Sequence, residues 1–271
     1  MSEWVEAAAP SKLNLTLVVG PSRDDGKHEV VTVLQRLELA DTVAIRPAAR
    51  VTVRGFATDT LVTRALETVA GLTRQTFEAR IAKRVPVAAG LGGGSSDAAT
   101  ALRLANASLG EPLPFDELHG IAVALGSDVP FFLRDGPCLA TGDGSRLEPV
   151  TLPQDYAVLL MLPAGSSKTS TRDVYARFDE RSGAVGYERR RARLLNELPR
   201  IASPRELAGL PNNDLAESPL AAELLGLGAF RADVTGAGPV VYGLFDDDDA
   251  AREASLLLEG HSHQWLTRPA A

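Results

Sequence analysis

A chain of 271 residues, 45% hydrophobic and 23% charged, has apolar material for one large core or two modest ones, as an ordinary soluble globular protein does. Its net charge of −7 argues against a nucleic-acid partner, which would call for a basic stripe. A single cysteine, Cys138, excludes an internal disulfide, and no stretch approaches the ~20 apolar residues of a membrane span. The acidic start, Met1-Ser2-Glu3-Trp4-Val5-Glu6, lacks the plan of a signal peptide. The expected compartment is the cytoplasm and the expected state a monomer or weak homodimer.

In chain order, Leu13 to Leu17 alternates apolar and polar residues, the mark of a strand with one buried face. Val43-Ala44-Ile45 and Val51-Thr52-Val53 read as short strands. Leu61 to Leu72 carries apolar residues at helical spacing, and Phe77 to Ile81 returns to a period of two. After Val85 to Ala89 comes a glycine-rich run, and Ser95-Ser96-Asp97 can cap a helix over Ala98 to Ala107. Phe115, Leu118, Ile121, Ala122 and Leu125 mark a further helix closed by Gly126. Strands and helices in this irregular order are an α+β pattern. Pro149 to Pro153 is the expected seam between domains spanning 1–150 and 151–271. Beyond it, Tyr156 to Leu162 and Val240 to Phe245 read as buried strands, and Ala250 to Leu258 as a helix. The basic run Glu188 to Arg193 reads as a solvated helix face, and Asp246 to Asp249 as a turn and helix N-terminus. His261 and His263 have no third ligand nearby in sequence, so they do not make a zinc site.

Chemistry concentrates in Gly90-Leu91-Gly92-Gly93-Gly94-Ser95-Ser96. Two known phosphate templates fail. Gly26-Lys27 has the wrong spacing for a Walker loop, and the strand before Gly90 is interrupted by Pro86, against a dinucleotide fingerprint. The physics remains: glycines let the backbone approach a ligand closely, and the helix that follows offers unpaired N–H groups and partial positive charge. Together they make an anion cradle for a polyphosphate.

Pro86-Val87-Ala88-Ala89-Gly90-Leu91-Gly92-Gly93-Gly94-Ser95-Ser96-Asp97-Ala98-Ala99 resembles the phosphate-binding motif of the GHMP kinases. Ala9 to Leu15, Arg23 to Glu29, Leu125 to Phe132 and Val234 to Gly238 carry the likeness over nearly the whole chain. Within that superfamily, the triple glycine before Ser-Ser-Asp-Ala-Ala resembles the branch whose acceptor is 4-diphosphocytidyl-2-C-methyl-D-erythritol. The resemblance implies a two-domain α+β fold, with an N-terminal mixed sheet and helices and a C-terminal ferredoxin-like sandwich. It places ATP, as its Mg²⁺ complex, in the cleft between them, cradled by Pro86, Val87, Ala88, Ala89, Gly90, Leu91, Gly92, Gly93, Gly94, Ser95 and Ser96.

The same resemblance assigns roles. Asp128 becomes the base that takes the hydroxyl proton, with Lys12 beside it to keep the carboxylate ionised. Asn14 and His28 face the acceptor, His28 helping to hold the cytosine from an exposed position after the Asp25-Gly26 turn. Tyr175 offers a stacking surface. Thr235 and Gly236, with Ala237 and Gly238, close over phosphates or acceptor. Three departures put substrate identity in more doubt than reaction type: Lys27 replaces a stacking aromatic, Asp59-Thr60-Leu61 replaces an Asp-Asn-Leu beside the adenine, and Ala237 lacks a hydroxyl. A kinase for another small alcohol and a non-catalytic nucleotide-binding regulator both stay open. Whether Ser96, a carboxylate or only the phosphates hold Mg²⁺ is likewise open.

Overall fold

The computed structural model describes residues 3–56, 60–165, 170–260 and 262–270. The chain opens with two long strands, β1 (Val5–Ser22) and β2 (His28–Pro47). A tight turn joins them: Gly26 N–H donates to the Arg23 carbonyl at 3.0 Å and Arg23 N–H to that of Lys27 at 2.7 Å. Leu13 to Leu17 and Val43 to Ile45 are therefore parts of much longer strands. Next come β3 (Thr52–Arg54), α1 (Leu61–Thr73), β4 (Phe77–Ala82), α2 (Gly93–Ala107) and α3 (Phe115–Leu125). They are followed by β5 (Cys138–Gly142), β6 (Arg146–Pro149), β7 (Ala157–Pro163), α4 (Thr171–Glu180) and α5 (Tyr187–Glu197). The last are α6 (Pro219–Gly226), β8 (Arg231–Val234), β9 (Val241–Phe245), α7 (Asp248–Leu257) and β10 (Ser262–Thr267).

Contacts gather the chain into two compact units. One comprises Met1–Ser11, Leu39–Val87 and Gly92–Asp135, the other Lys12–Glu38, Ala88–Leu91 and Gly136–Ala271. These do not coincide with a cut at residue 150. Each of the two long strands contributes to both units, and β5 and β6 belong with the second.

In the first unit, Thr42 to Pro47 of β2 pairs antiparallel with β4, and β3 pairs parallel with β4, so the sheet is mixed. Val43, Ile45, Phe77 and Ala79 are fully buried. The apolar stripe of α1 (Val62, Ala65, Leu66, Val69) is buried too, and α1 packs against α2 and α3. The helix predicted from Ala98 starts instead at Gly93, with Gly92 as its N-cap at φ 70°. Ser95, Ser96 and Asp97 lie inside the helix and cap nothing. The glycines have supplied the turn into the helix by themselves.

In the second unit, Val30 to Leu34 of β2 pairs antiparallel with β5, which pairs with β6. The C-terminal sheet runs β10-β7-β9-β8, every neighbour antiparallel. With helices between β7 and β8 and between β9 and β10, that is the ferredoxin-like order. Its core includes Leu159, Met161, Leu224, Val241, Phe245 and Ala254. Asp247 caps α7 by accepting the Ala250 N–H at 2.9 Å, with Asp248 and Asp249 in the first turn where the helix dipole favours them. The basic run on α5 is not simply a solvated face. Arg190 reaches the Asp214 carboxylate at 3.0 Å and the Gly183 carbonyl at 2.9 Å, because Asp214 is held at hand by the Val19 N–H. Among the described residues no helix is long and apolar enough to cross a membrane.

Candidate active site

Within the second unit, β1 and the loop after β8 bring together residues far apart in sequence. Lys12 is buried on β1; its N–H donates to the Leu91 carbonyl at 2.9 Å and its ammonium to Asn14 Oδ1. Asn14 spends its other groups on long-range partners. Its N–H donates to Thr235 Oγ1 at 3.1 Å, and Nδ2 donates to Thr32 Oγ1 at 2.8 Å. Thr235 is wholly buried.

Two glycines make this convergence possible. Gly90 sits at φ 83°, and a Cβ there would lie 2.5 Å from the Thr235 carbonyl oxygen, closer than any side chain tolerates. Gly236, at φ 59°, faces Asn14 Oδ1 and Lys12 Nζ at 3.4 and 3.5 Å from where its Cβ would be. The glycine loop and the third glycine motif can meet over Lys12 only without side chains there. Asn213 clamps the arrangement: Nδ2 donates to the carbonyls of Val234 at 2.8 Å and Gly236 at 2.7 Å. Sequence reading missed Asn213, although an Asn-Asp pair outside any helix was its one available signal.

Val87 and Pro86 belong to the first unit, as does the run from Gly92 onward; Ala88, Ala89, Gly90 and Leu91 belong to the second. Ala88 adopts φ 62° without being glycine. At the start of α2, Ser95 is partly exposed, while Ser96 is fully buried and its hydroxyl has no hydrogen-bond partner among the described residues. Its N–H closes the first helical turn onto the Gly92 carbonyl at 2.9 Å.

A network that sequence gave no hint of supports this helix start. Asp41 and Asp97 are both fully buried, and Lys83 donates to both, to Asp97 at 2.8 Å. Asp41 also accepts the Val85 N–H at 2.8 Å and that of Arg84. A Cβ on Gly93 would lie 3.3 Å from Lys83 Nζ. Burial works against the ammonium, but the two carboxylates outweigh it and leave Lys83 above its ordinary value.

Asp128 stands half-buried ahead of the 3₁₀ turn Val129–Leu133, and its carboxylate does not cap that turn. Among the described residues it makes no ion pair or hydrogen bond, so its oxygens stay available as acceptors. Lys12 belongs to the second unit and Asp128 to the first.

His28 differs from expectation. It is buried, not exposed, with Nε2 2.8 Å from Asp179 Oδ1 and its ring 4.7 Å from that of Tyr175. Long-range packing by α4, invisible in the local turn sequence, covers it. Lys27 pairs with Asp143. Burial raises the Asp143 carboxyl, but Lys27 and the Ser145 hydroxyl and N–H outweigh that and bring it down to about 2. Asp59 and His261 lie outside the described residues. No group of three or more His, Cys, Asp or Glu able to hold a metal occurs among the described residues.

Comparison with known proteins bears on family and fold. The family model "GHMP kinases N terminal domain" matches residues 60–136, and "GHMP kinases C terminal" matches 218–257. The chain is 39% identical to 4-diphosphocytidyl-2-C-methyl-D-erythritol kinase of Anaeromyxobacter dehalogenans (strain 2CP-C), covering 94% of this chain and 85% of that one. It is 36% identical to the kinase of that name from Corynebacterium efficiens, covering 94% and 90%. A crystal structure of 4-(cytidine 5'-diphospho)-2C-methyl-D-erythritol kinase superposes with a TM-score of 0.81 at 28% identity, over 98% of this chain and all (100%) of that one. Homoserine kinase from Cytophaga hutchinsonii shares the fold, with a TM-score of 0.75 at 16% identity over 98% and 95%. Extended similarity at this level, with both family models in their proper order, places the chain in the 4-diphosphocytidyl-2-C-methyl-D-erythritol kinase family of the GHMP kinases.

Proposed function

We infer that the protein transfers the γ-phosphoryl group of ATP to the 2-hydroxyl of 4-diphosphocytidyl-2-C-methyl-D-erythritol, a step toward isoprenoid precursors. The observation that carries the reading is the convergence of Lys12, Asn14, Thr235 and Gly236 on the glycine loop, in a chain of this family. ATP supplies the phosphoryl group, and Mg²⁺ neutralises charge on the phosphates when bound.

The residues present fit both. The N–H groups opening α2 and the flanking glycines suit phosphate oxygens, and the buried, unpartnered Ser96 hydroxyl suits a cation or phosphate. Asp128, its carboxylate unused by the fold, accepts the proton of the acceptor hydroxyl. Lys12 supplies a fixed positive charge, and its bond to Asn14 holds the ammonium in one place instead of leaving it to sample rotamers. Thr235 and Gly236 hold the backbone close to that ammonium. Positioning and fixed charge supply the rate, as expected where the protein does little covalent chemistry.

Lys27 favours one alternative. Tied to Asp143, it offers no aromatic face to a cytosine, so a smaller alcohol remains a second acceptor class. ADP release should therefore be measured with ATP and Mg²⁺ against the cytidyl compound, homoserine, mevalonate and galactose. Turnover is expected on the cytidyl compound, with kcat reduced roughly 10²–10⁴-fold in Asp128→Asn. Lys12→Ala should reduce kcat while leaving the ATP KM nearly unchanged. Turnover confined to another acceptor would overturn the substrate, and full activity of Asp128→Asn would overturn the assignment of the base.

A further inference from the structure

Along β8, Ala232 and Val234 turn into the core shared with α6 and α7, so Arg231 and Asp233 turn to the opposite face. Solvent would be the ordinary place for two charges, yet all four residues are buried. The Arg231 side chain is 2% exposed, and each of its N–H groups has an acceptor. Nε donates to the Tyr242 hydroxyl at 3.0 Å. One terminal nitrogen donates to the carbonyls of Leu207 at 3.2 Å and Leu210 at 2.8 Å, the other to the Pro211 carbonyl at 2.9 Å and Asp233 at 3.5 Å. Two chains of bonds lead away from this guanidinium. Asp233 accepts the Asn213 N–H at 2.8 Å, and Asn213 Nδ2 reaches the carbonyls of Val234 and Gly236. The Tyr242 hydroxyl donates in turn to the Leu15 carbonyl at 3.1 Å. Both chains end around the Lys12 ammonium, one at Gly236 and the other next to Asn14.

Stability alone does not call for this arrangement. Burying a guanidinium carries a heavy desolvation cost, and apolar side chains filling the same space are commonly as stable or more so. An apolar residue could not fix the carbonyls of Leu207, Leu210 and Pro211, in a stretch that runs from a short 3₁₀ turn into irregular chain and on to Asn213. We propose that Arg231 is a positioning residue for the phosphoryl transfer, holding the Gly236 backbone against the Lys12 ammonium through Asp233 and Asn213. The inference deepens the kinase reading above and rests on Lys12 acting in it. Without the guanidinium the stretch before Asn213 loses three anchors, and the clamp on Gly236 moves with it. The site is then present but loose, and a displacement of about 1 Å is enough to lower a rate severely.

The test is a double-mutant cycle in steady-state kinetics on the cytidyl acceptor, with wild type, Arg231→Met, Lys12→Ala and the double variant. Arg231→Met should lower kcat roughly tenfold and leave the ATP KM within about twofold. In the Lys12→Ala background the same change should cost less than about twofold, because the loss runs through Lys12. Arg231→Lys should recover part of the rate. Equal losses in both backgrounds, or a wild-type kcat in Arg231→Met, would overturn the role. Should Arg231→Met fail to fold, Asn213→Asp takes its place in the cycle. It keeps the oxygen that accepts the Leu215 N–H at 2.8 Å and sets a carboxylate against the two carbonyls. A second readout needs no turnover. Lys12, buried in the wild type, should be reductively methylated about tenfold faster in the variant, with the exposed Lys27 as internal reference. If the wild type turns over no acceptor, the kinase reading falls by itself: a faster Lys12 still supports the positioning, and an unchanged Lys12 overturns it.

Discussion

At Lys27 a single side chain has taken a place that the resemblance gave to an aromatic, and the structure shows what the lysine does there. From the β1–β2 turn it reaches Asp143 in the turn between β5 and β6, and with the Ser145 hydroxyl and N–H it outweighs burial and brings the Asp143 carboxyl down to about 2 from its ordinary 3.8. A carboxyl lowered on folding contributes stability that is present above its ordinary value and fades as pH falls through its folded value. The stabilisation from Asp143 should therefore be complete by about pH 5 and lost between about pH 4 and pH 2. Thermal melts of the wild type and Lys27→Met across that range would check it. Their Tm difference should be largest near neutrality and close by pH 2. At this scale the sequence was legible where a motif carries the resemblance. Lys12, Asn14, Thr235 and Gly236 were all named from sequence, and the structure brings them together with Gly90. It was not legible where a side chain is placed by a distant partner. Nothing local announces that Asp179 meets His28 or that Asn213 reaches Gly236, since those contacts exist only after α4 and the segment before α6 are in place.

Among the elements, α2 carries the sharpest lesson. Its alanines and leucines were readable, but its start was not, because Ser-Ser-Asp looks like a cap and turns out to be helix interior. The glycine run enters the helix without a side-chain cap, and Asp97 is thereby turned toward Lys83. Lys83 is the common partner of β2 through Asp41 and of α2 through Asp97, while Asp41 also fixes the backbone at Val85. Replacing Lys83 by Met leaves two buried carboxylates without their cation. The expected cost is about 3 kcal/mol in stability, the range for breaking one side of a buried ion pair. The ATP KM should rise while kcat changes little, because the helix start is displaced but Asp128 is not touched. Lys83→Arg should recover much of both. Denaturant melts and steady-state kinetics of the two variants decide the matter, and an unaltered ATP KM in Lys83→Met would confine the network to stability.

For the molecule as a whole, the α+β class was within reach because alternation and helical spacing survive in short windows, while the C-terminal ferredoxin-like order was implied only by the resemblance. How the chain is shared between units was not, since no local composition tells that a strand will serve two cores. Residues 12–38 belong with 136–271, and between them lie residues that mostly build the other unit. The partnership has a price in time. During synthesis the first hairpin emerges early and must stay unsatisfied until more than half of the chain has followed, because Leu17, Val19 and Val30 bury themselves against Val174, Phe178 and Leu215. Neither unit is a contiguous stretch that a ribosome could finish first. A fragment of residues 136–271 expressed alone should therefore keep the C-terminal sheet and its core but leave Val174 and Phe178 of α4 without their partners, and adding the separate 1–135 fragment should raise its Tm in circular-dichroism melts. This is a protein that assembles late, with its earliest strands waiting for its last ones.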